Sequence, residues 1–279
     1  MQRRTFLIFT DLDGTLLDHH TYSYDAALPV LRELQKQDHV IIPNTSKTFA
    51  ELSKFCQQIP MTTPFVVENG AAAYVSMGHL PNQPAGATQF GEFWRKSFTK
   101  EKAHWLALLN AYGEEFRDCY TGFSAMTLQQ IADETSLSLA DAKLATQRQF
   151  GEPLLWHGTK QQLTKFEKTL TAAGATILQG GRFVHVCGQC DKGSAMQWLL
   201  DCFVDAYPDI QFTSVALGDS GNDTAMLEAA DIAIQIRAPE RPFPKINKKQ
   251  HLYQSTLCGP EGWAETLSSL ILHPSRGGF

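Results

Sequence analysis

The stretch FLIFTDLDGTLLD, residues 6–18, decides how the chain is read. Phe6–Phe9 is a continuous apolar run that stops at Asp11, with Asp13 two residues on and Gly14-Thr15 behind it. A short apolar run without alternation, with β-branched members, is the pattern of a strand buried on both faces, as in a parallel sheet. Two carboxylates at its end do nothing for a core. In an open parallel sheet, however, ligands bind beyond the carboxyl ends of the strands. If strand geometry continues through residue 13, the two acids also share a face.

Outward from this stretch the pattern alternates. Residues 25–37 carry Leu28, Leu31 and Leu34 at helical spacing. HVIIPNTS (39–46) reads as a second strand, TFAELSKFCQQI (48–59) as a second helix and PFVVENG (64–70) as a third strand with a turn. This βαβαβ rhythm predicts a parallel sheet covered by helices. Residues 78–93 are rich in Gly, Pro and Asn and read as a boundary loop. Helices are expected at 99–116 and, as a helix–turn–helix, at 127–149, then helix, turn and strand over 159–188. The parallel rhythm resumes with a helix at 191–208, a strand running into LGDSGND (217–223), the short helix TAMLEAA, a strand at 231–236 and a closing helix at 262–272. The expected fold class is α/β: a doubly wound parallel-sheet core over 1–80 and 189–279, with an inserted α/β module at 81–188 that would set substrate specificity.

Composition narrows the partners. The 279 residues carry a formal net charge of −5, which argues against broad nucleic-acid binding. No apolar stretch approaches the roughly 20 residues needed to span a bilayer, so no membrane partner and a cytoplasmic setting are expected. Cys187 and Cys190 are spaced CxxC, but no second pair completes a zinc set. They read as ordinary thiols. His157 and His185 read as structural or exposed residues.

The strand ends and one helix start carry the chemistry: TDLDGT (10–15), NTSKT (44–48), CDKG (190–193) and LGDSGND (217–223). Clustered carboxylates repel and would neutralise unless a cation joined them. An oxygen-rich site with few protein ligands suits Mg²⁺. A carboxylate can act as nucleophile, and phosphoryl transfer then needs positive charge around the moving group. Lys192 opens a helix, where the macrodipole disfavours a cation, so its placement points to function. Ser46 has a second reading as a helix cap, and Lys47 as a solvated lysine.

DLDGTLLD, TSK, DKG and GDSGND resemble, in order and spacing, the four motifs of the haloacid dehalogenase-like phosphatases, and the insert resembles their type IIB cap. NTSKTFAEL, VVENGAA, QRQFGEP and GPEGWAE are similar to stretches of mannosyl-3-phosphoglycerate phosphatases. The resemblance implies a Mg²⁺-dependent phosphatase acting on a phosphorylated sugar acid. Asp11 would be the nucleophile and a metal ligand. Asp13 would be the acid and base, and would meet the metal through its backbone carbonyl. Asp219 would be the acidic metal ligand of the fourth motif, and Asn222 and Asp223 would support the metal or Lys192. Ser46 would bind phosphoryl oxygens, and Lys192 would neutralise charge between nucleophile and phosphate. Gly14, Lys47, Asn69, Arg148 and Glu152 would serve substrate binding. Arg148 is expected to pair with a substrate carboxylate and Glu152 with sugar hydroxyls; both also read as exposed residues before a proline. Rival readings keep the chemistry on sucrose phosphate or a hexose phosphate, or turn it into a phosphomutase.

Overall fold

The structure is a computed structural model and describes residues 4–59, 64–180 and 182–274. In chain order the first elements are β1 (Arg4–Thr10), α1 (Leu28–Lys36), β2 (Val40–Pro43), α2 (Phe49–Gln58), β3 (Phe65–Val67), β4 (Ala72–Ser76), β5 (Thr88–Phe90) and β6 (Phe93–Ser97). Next come α3 (Lys102–Tyr112), β7 (Tyr120–Gly122), α4 (Leu128–Thr135), α5 (Leu139–Ala145), β8 (Gly151–Trp156), α6 (Lys160–Ala172), β9 (Thr176–Gly180) and β10 (Phe183–Cys187). The chain closes with α7 (Lys192–Ala206), β11 (Gln211–Gly218), α8 (Thr224–Ala229), β12 (Ile232–Arg237), β13 (Leu252–Cys258) and α9 (Gly259–Leu267).

These elements form two compact units, Met1–Thr45 with Met61–Lys96 and Asp191–Phe279, and Ser46–Pro60 with Ser97–Cys190. The first is built on a parallel five-stranded sheet in the order β13-β12-β11-β1-β2. Leu7, Ile8 and Phe9 of β1 are completely buried, which is why that strand is apolar without alternation. Helices pack as α7 with α8 and α1 with α9. The expected α/β architecture with a parallel core sheet is present.

The expected third parallel strand is only partly so. The line of β2 is prolonged by one parallel bridge, Asn44 to Val66, and β3 then pairs antiparallel with β4. The reversal is made by Glu68, Asn69 and Gly70, at φ 49°, 59° and 91°. A second sheet, β3-β4-β6-β5, follows. The expected loop 78–93 therefore holds β5 and the start of β6, and residues 81–96 fall with the first unit rather than with the insert.

The second unit has an antiparallel sheet, β7-β8-β10-β9. Phe166 and Leu170 of α6, and Trp105, Leu108 and Leu109 of α3, pack with Leu154, Val184 and Val186 of the sheet. The Phe166 ring meets Phe116 edge-on and lies tilted against Tyr120 and Trp156. The helix expected at 99–116 ends at Gly113, and a 3₁₀ turn follows. The expected helix–turn–helix is α4 and α5, separated where Ser136 turns left-handed and Ser138 caps the second helix. The second unit also holds α2, whose cap is Thr48 in a reciprocal capping box with Glu51, not Ser46. No helix among the described residues is long and apolar enough to cross a membrane.

Replacing fully buried Phe166 by Ala is expected to destabilise the second unit by about 3–5 kcal/mol. Denaturant unfolding followed by tryptophan fluorescence checks this, since Trp105 and Trp156 sit in the same cluster.

Candidate active site

The site in the first unit grows from the ends of neighbouring strands. Asp11 follows β1 directly, and its N–H donates to Leu217 of β11 at 2.9 Å. One residue after β11 stands Asp219, and Asp223 lies in the 3₁₀ turn behind it. Asn44, at the end of β2, donates its N–H to the carbonyl of Thr10 at 2.8 Å. Its side-chain amide donates to the carbonyl of Lys192 at 2.9 Å and so ties the start of α7 to the sheet.

Lys192 is the first residue of α7, capped by Asp191, which accepts from the Ser194 N–H at 2.7 Å. Lys192 is fully buried. Its Nζ donates to Asp11 Oδ1 at 2.6 Å and to Asp223 Oδ1 at 2.7 Å. The other oxygen of Asp223 accepts from the backbone of Asp219 and Ser220, at 3.1 and 3.0 Å. Asp223 thus holds both the lysine and the turn that carries Asp219.

Two glycines make the convergence possible. Gly70 sits at φ +91°, and a Cβ there would lie 2.0 Å from the carbonyl oxygen of Asp191. Gly14 sits at φ +82°, and a Cβ there would lie 3.0 Å from Asp219 Oδ2. Any larger residue at either place meets backbone or carboxylate in addition to left-handed strain.

Asp13 does not share a strand face with Asp11. The strand ends at Thr10, and the chain turns, with Thr15 N–H donating to Leu12 and Gly14 N–H to Leu17. The alternation argument fails because Gly14 closes a turn. The two acids are nonetheless near enough for the charge of Asp13 to raise Asp11.

Ligand oxygens of Asp11, Asp219 and Asp223 lie within 4.8 Å of one another, all on buried residues. Burial pushes the Asp11 carboxyl up to about 8, against the pull of Lys192, and Asp223 and Asp13 add to the shift. Burial also raises Asp219, helped by Asp223 and opposed by Arg241, whose Nη2 lies 3.8 Å from Asp219 Oδ2. Burial alone would lower Lys192, but Asp11 and Asp223 outweigh it and hold the ammonium charged. Once ionised, these three buried carboxyl groups face the ammonium of Lys192, with Arg241 only at the edge of Asp219, and negative charge is in excess. That all-oxygen, charge-deficient set fits a small divalent cation.

Asn222 donates its amide to Asn69 Oδ1 at 3.0 Å, so these two expected residues meet. Ser46, Lys47, Arg148 and Glu152 all belong to the second unit. Arg148 Nη2 donates to the Ser46 carbonyl at 2.9 Å. Glu152 is buried, not exposed, and accepts from the N–H and hydroxyl of Ser124 at 2.7 and 2.9 Å. Lys102 stands 4.0 Å from it. Sequence reasoning gave no role to Asn44, Arg241, Thr10 or Trp263; the last lies within GPEGWAE, the signal available for it.

A profile of haloacid dehalogenase-like hydrolases matches residues 8–240. The chain belongs to that family. A glucosyl-3-phosphoglycerate/mannosyl-3-phosphoglycerate phosphatase of Methanococcoides burtonii is 31% identical over 265 residues, 95% of this chain and 97% of that protein. One of the same name from Persephonella marina is 32% identical over 287 residues, 97% and 99% of the two chains. Among solved structures, a phosphatase of the superfamily from Bacteroides thetaiotaomicron superposes with a TM-score of 0.63 at 18% identity, covering 96% of this chain and 94% of that one. A subclass IIB sugar phosphatase of the superfamily superposes at 0.62 with 14% identity, covering 95% and 98%. These likenesses agree with the expected core with a type IIB insert, and the relatives' names agree with the expected class, a phosphoric monoester hydrolase.

An acid whose folded pKa lies above its unfolded value destabilises the fold as it ionises. The unfolded value is about 3.9, and the folded one about 8. In metal-free buffer, Asp11→Asn should therefore match the wild type near pH 4 and become progressively the more stable of the two as pH rises to 8. Urea unfolding at a series of pH values measures the difference; one independent of pH would show Asp11 ionised throughout. Added Mg²⁺ should raise the stability of the wild type more than that of the variant.

Proposed function

We propose that the chain is a Mg²⁺-dependent phosphatase that hydrolyses mannosyl-3-phosphoglycerate to mannosylglycerate and phosphate. The observation that carries this reading is the buried set of Asp11, Lys192, Asp219 and Asp223 at the carboxyl ends of β1 and β11. The substrate comes from the names of the two aligned relatives. Those names favour a second reading as well, in which glucosyl-3-phosphoglycerate is hydrolysed at the same site.

In the proposed mechanism Asp11 attacks phosphorus. A bond forms from its carboxylate oxygen, and the bond from phosphorus to the glycerate oxygen breaks. Asp13 gives its proton to that leaving oxygen. It then takes a proton from water as the water oxygen bonds to phosphorus and the aspartyl-phosphate bond breaks, which releases phosphate and restores Asp11. Lys192 holds Asp11 Oδ1 and so leaves the other oxygen for attack. Ser46 would bind phosphoryl oxygens. Asp11, Asp219 and the carbonyl of Asp13 would hold Mg²⁺, with Asp223 and Asn222 behind them, and the ion would supply positive charge to the phosphoryl oxygens. Gly14 admits the close backbone approach. We assign discrimination of the sugar acid to the second unit.

Phosphate release over a panel of esters tests the reading. Mannosyl- and glucosyl-3-phosphoglycerate should exceed sucrose phosphate and hexose phosphates in kcat/KM. Better turnover of hexose phosphates would move the substrate, and an isomerised sugar phosphate without phosphate release would make the chain a mutase. Asp11→Ala should lose activity by roughly a thousandfold or more, as expected when a nucleophile is removed, and a chelator should abolish the wild-type rate. Full activity in either case would overturn the mechanism.

A further inference from the structure

Trp263 lies in α9 and is completely buried. Its indole N–H donates to Thr10 Oγ1 at 3.1 Å. The Thr10 hydroxyl, also completely buried, donates to the carbonyl of Asp11 at 2.7 Å. With the indole proton directed at Oγ1, the hydroxyl proton must point elsewhere, and the Asp11 carbonyl receives it. Each bond polarises the next in a medium of low dielectric.

The chain of bonds ends on the peptide of one residue. The Asp11 N–H is fixed to Leu217 at 2.9 Å, and its carbonyl is held by Thr10, with the Leu16 N–H at 3.4 Å. Holding both peptide groups fixes φ and ψ, and with them the direction of the Cα–Cβ bond. Lys192 then fixes the carboxylate at its far end. A buried aromatic in this place needs no N–H for packing alone; phenylalanine would fill most of the same volume without a polar atom to satisfy.

We propose that Trp263 and Thr10 form a positioning relay that sets the backbone of Asp11 for attack. The proposal rests on the reading of Asp11 as nucleophile. Neither residue touches the reacting atoms; both act through Asp11. A displacement of about 1 Å at a reacting atom can cost on the order of a hundredfold in rate, so the relay should show in kcat more than in KM.

The test uses the full chain with excess Mg²⁺ and p-nitrophenyl phosphate, with circular dichroism and thermal unfolding alongside. Trp263→Phe keeps the ring and removes the donor. Thr10→Val keeps the shape and removes the hydroxyl, and Thr10→Ser keeps the hydroxyl and removes only the methyl. We expect Trp263→Phe and Thr10→Val each to lower kcat by about tenfold or more with little change in KM. Thr10→Ser should return near-wild-type kcat. The double variant Thr10→Val/Trp263→Phe should be no slower than the slower single one, since both break one chain. Wild-type kcat in folded Trp263→Phe, equal impairment in Thr10→Ser and Thr10→Val, or multiplied losses in the double variant would overturn the relay. Should Thr10→Val not fold, Trp263→Phe and Thr10→Ser carry the test. Asp11→Asn separates the two readings. An active Asp11→Asn overturns the nucleophile itself, whereas an inactive one beside an unimpaired Trp263→Phe overturns only the relay.

Discussion

The site in the first unit depends on one buried ammonium. Lys192 lies between Asp11 and Asp223 with no exposure to solvent, at 2.6 and 2.7 Å from their oxygens. A lysine in such a place costs several kcal/mol of desolvation unless its partners compensate. The two carboxylates come from the ends of different strands, and the lysine comes from a helix start. The pairing therefore does what neither strand does alone: it locks the end of β1, the turn after β11 and the first turn of α7 into one arrangement. It does not neutralise the site. The carboxylate excess that remains is what makes a divalent cation the natural complement.

Backbone approach is the second constraint. Charges of this density hold together only if the peptides carrying them come close, and Gly70 meets the peptide of Asp191 at a distance no side chain would allow. Asn44 adds a hydrogen bond from the end of β2 to the same helix start. The motifs are thus read twice over by the fold. Their acids and lysine supply charge, and their glycines and asparagines supply the packing that brings the charge together.

Much of this was legible in the sequence. β1, β2, β11 and β12 announce themselves as apolar runs because both faces of the parallel sheet are covered. Asp11 and Asp219 stand where two of those runs end, Asp223 lies in the turn behind the second, and Lys192 opens α7. Less legible were β8, which opens on Gly-Glu-Pro, and β13, polar in the middle and preceded by a polar stretch; neither has the run or the alternation that marks a strand. Of the antiparallel return of β4 the sequence shows the turn, at Asn69-Gly70, but not that the strand after it pairs back on β3. The shared face that strand periodicity predicts for Asp11 and Asp13 is lost where the Gly14 turn breaks the strand.

Arg148 and Glu152 show where motif reading reaches its limit. Both are charged residues of a type fit to meet a polar substrate, and both make bonds inside the second unit. Arg148 donates to the Ser46 carbonyl, and Glu152 accepts from Ser124 with Lys102 nearby. A charge that touches a ligand and a charge that holds a loop obey the same physics, since each must be fixed and each must be paired. Residue type and spacing cannot separate them; burial and partner identity can. For Glu152, at 1% exposure, the carboxylate is an anchor for the turn at Phe123–Ala125. For Arg148 the bond goes to the peptide of Ser46, so this arginine holds the bend that leads into α2.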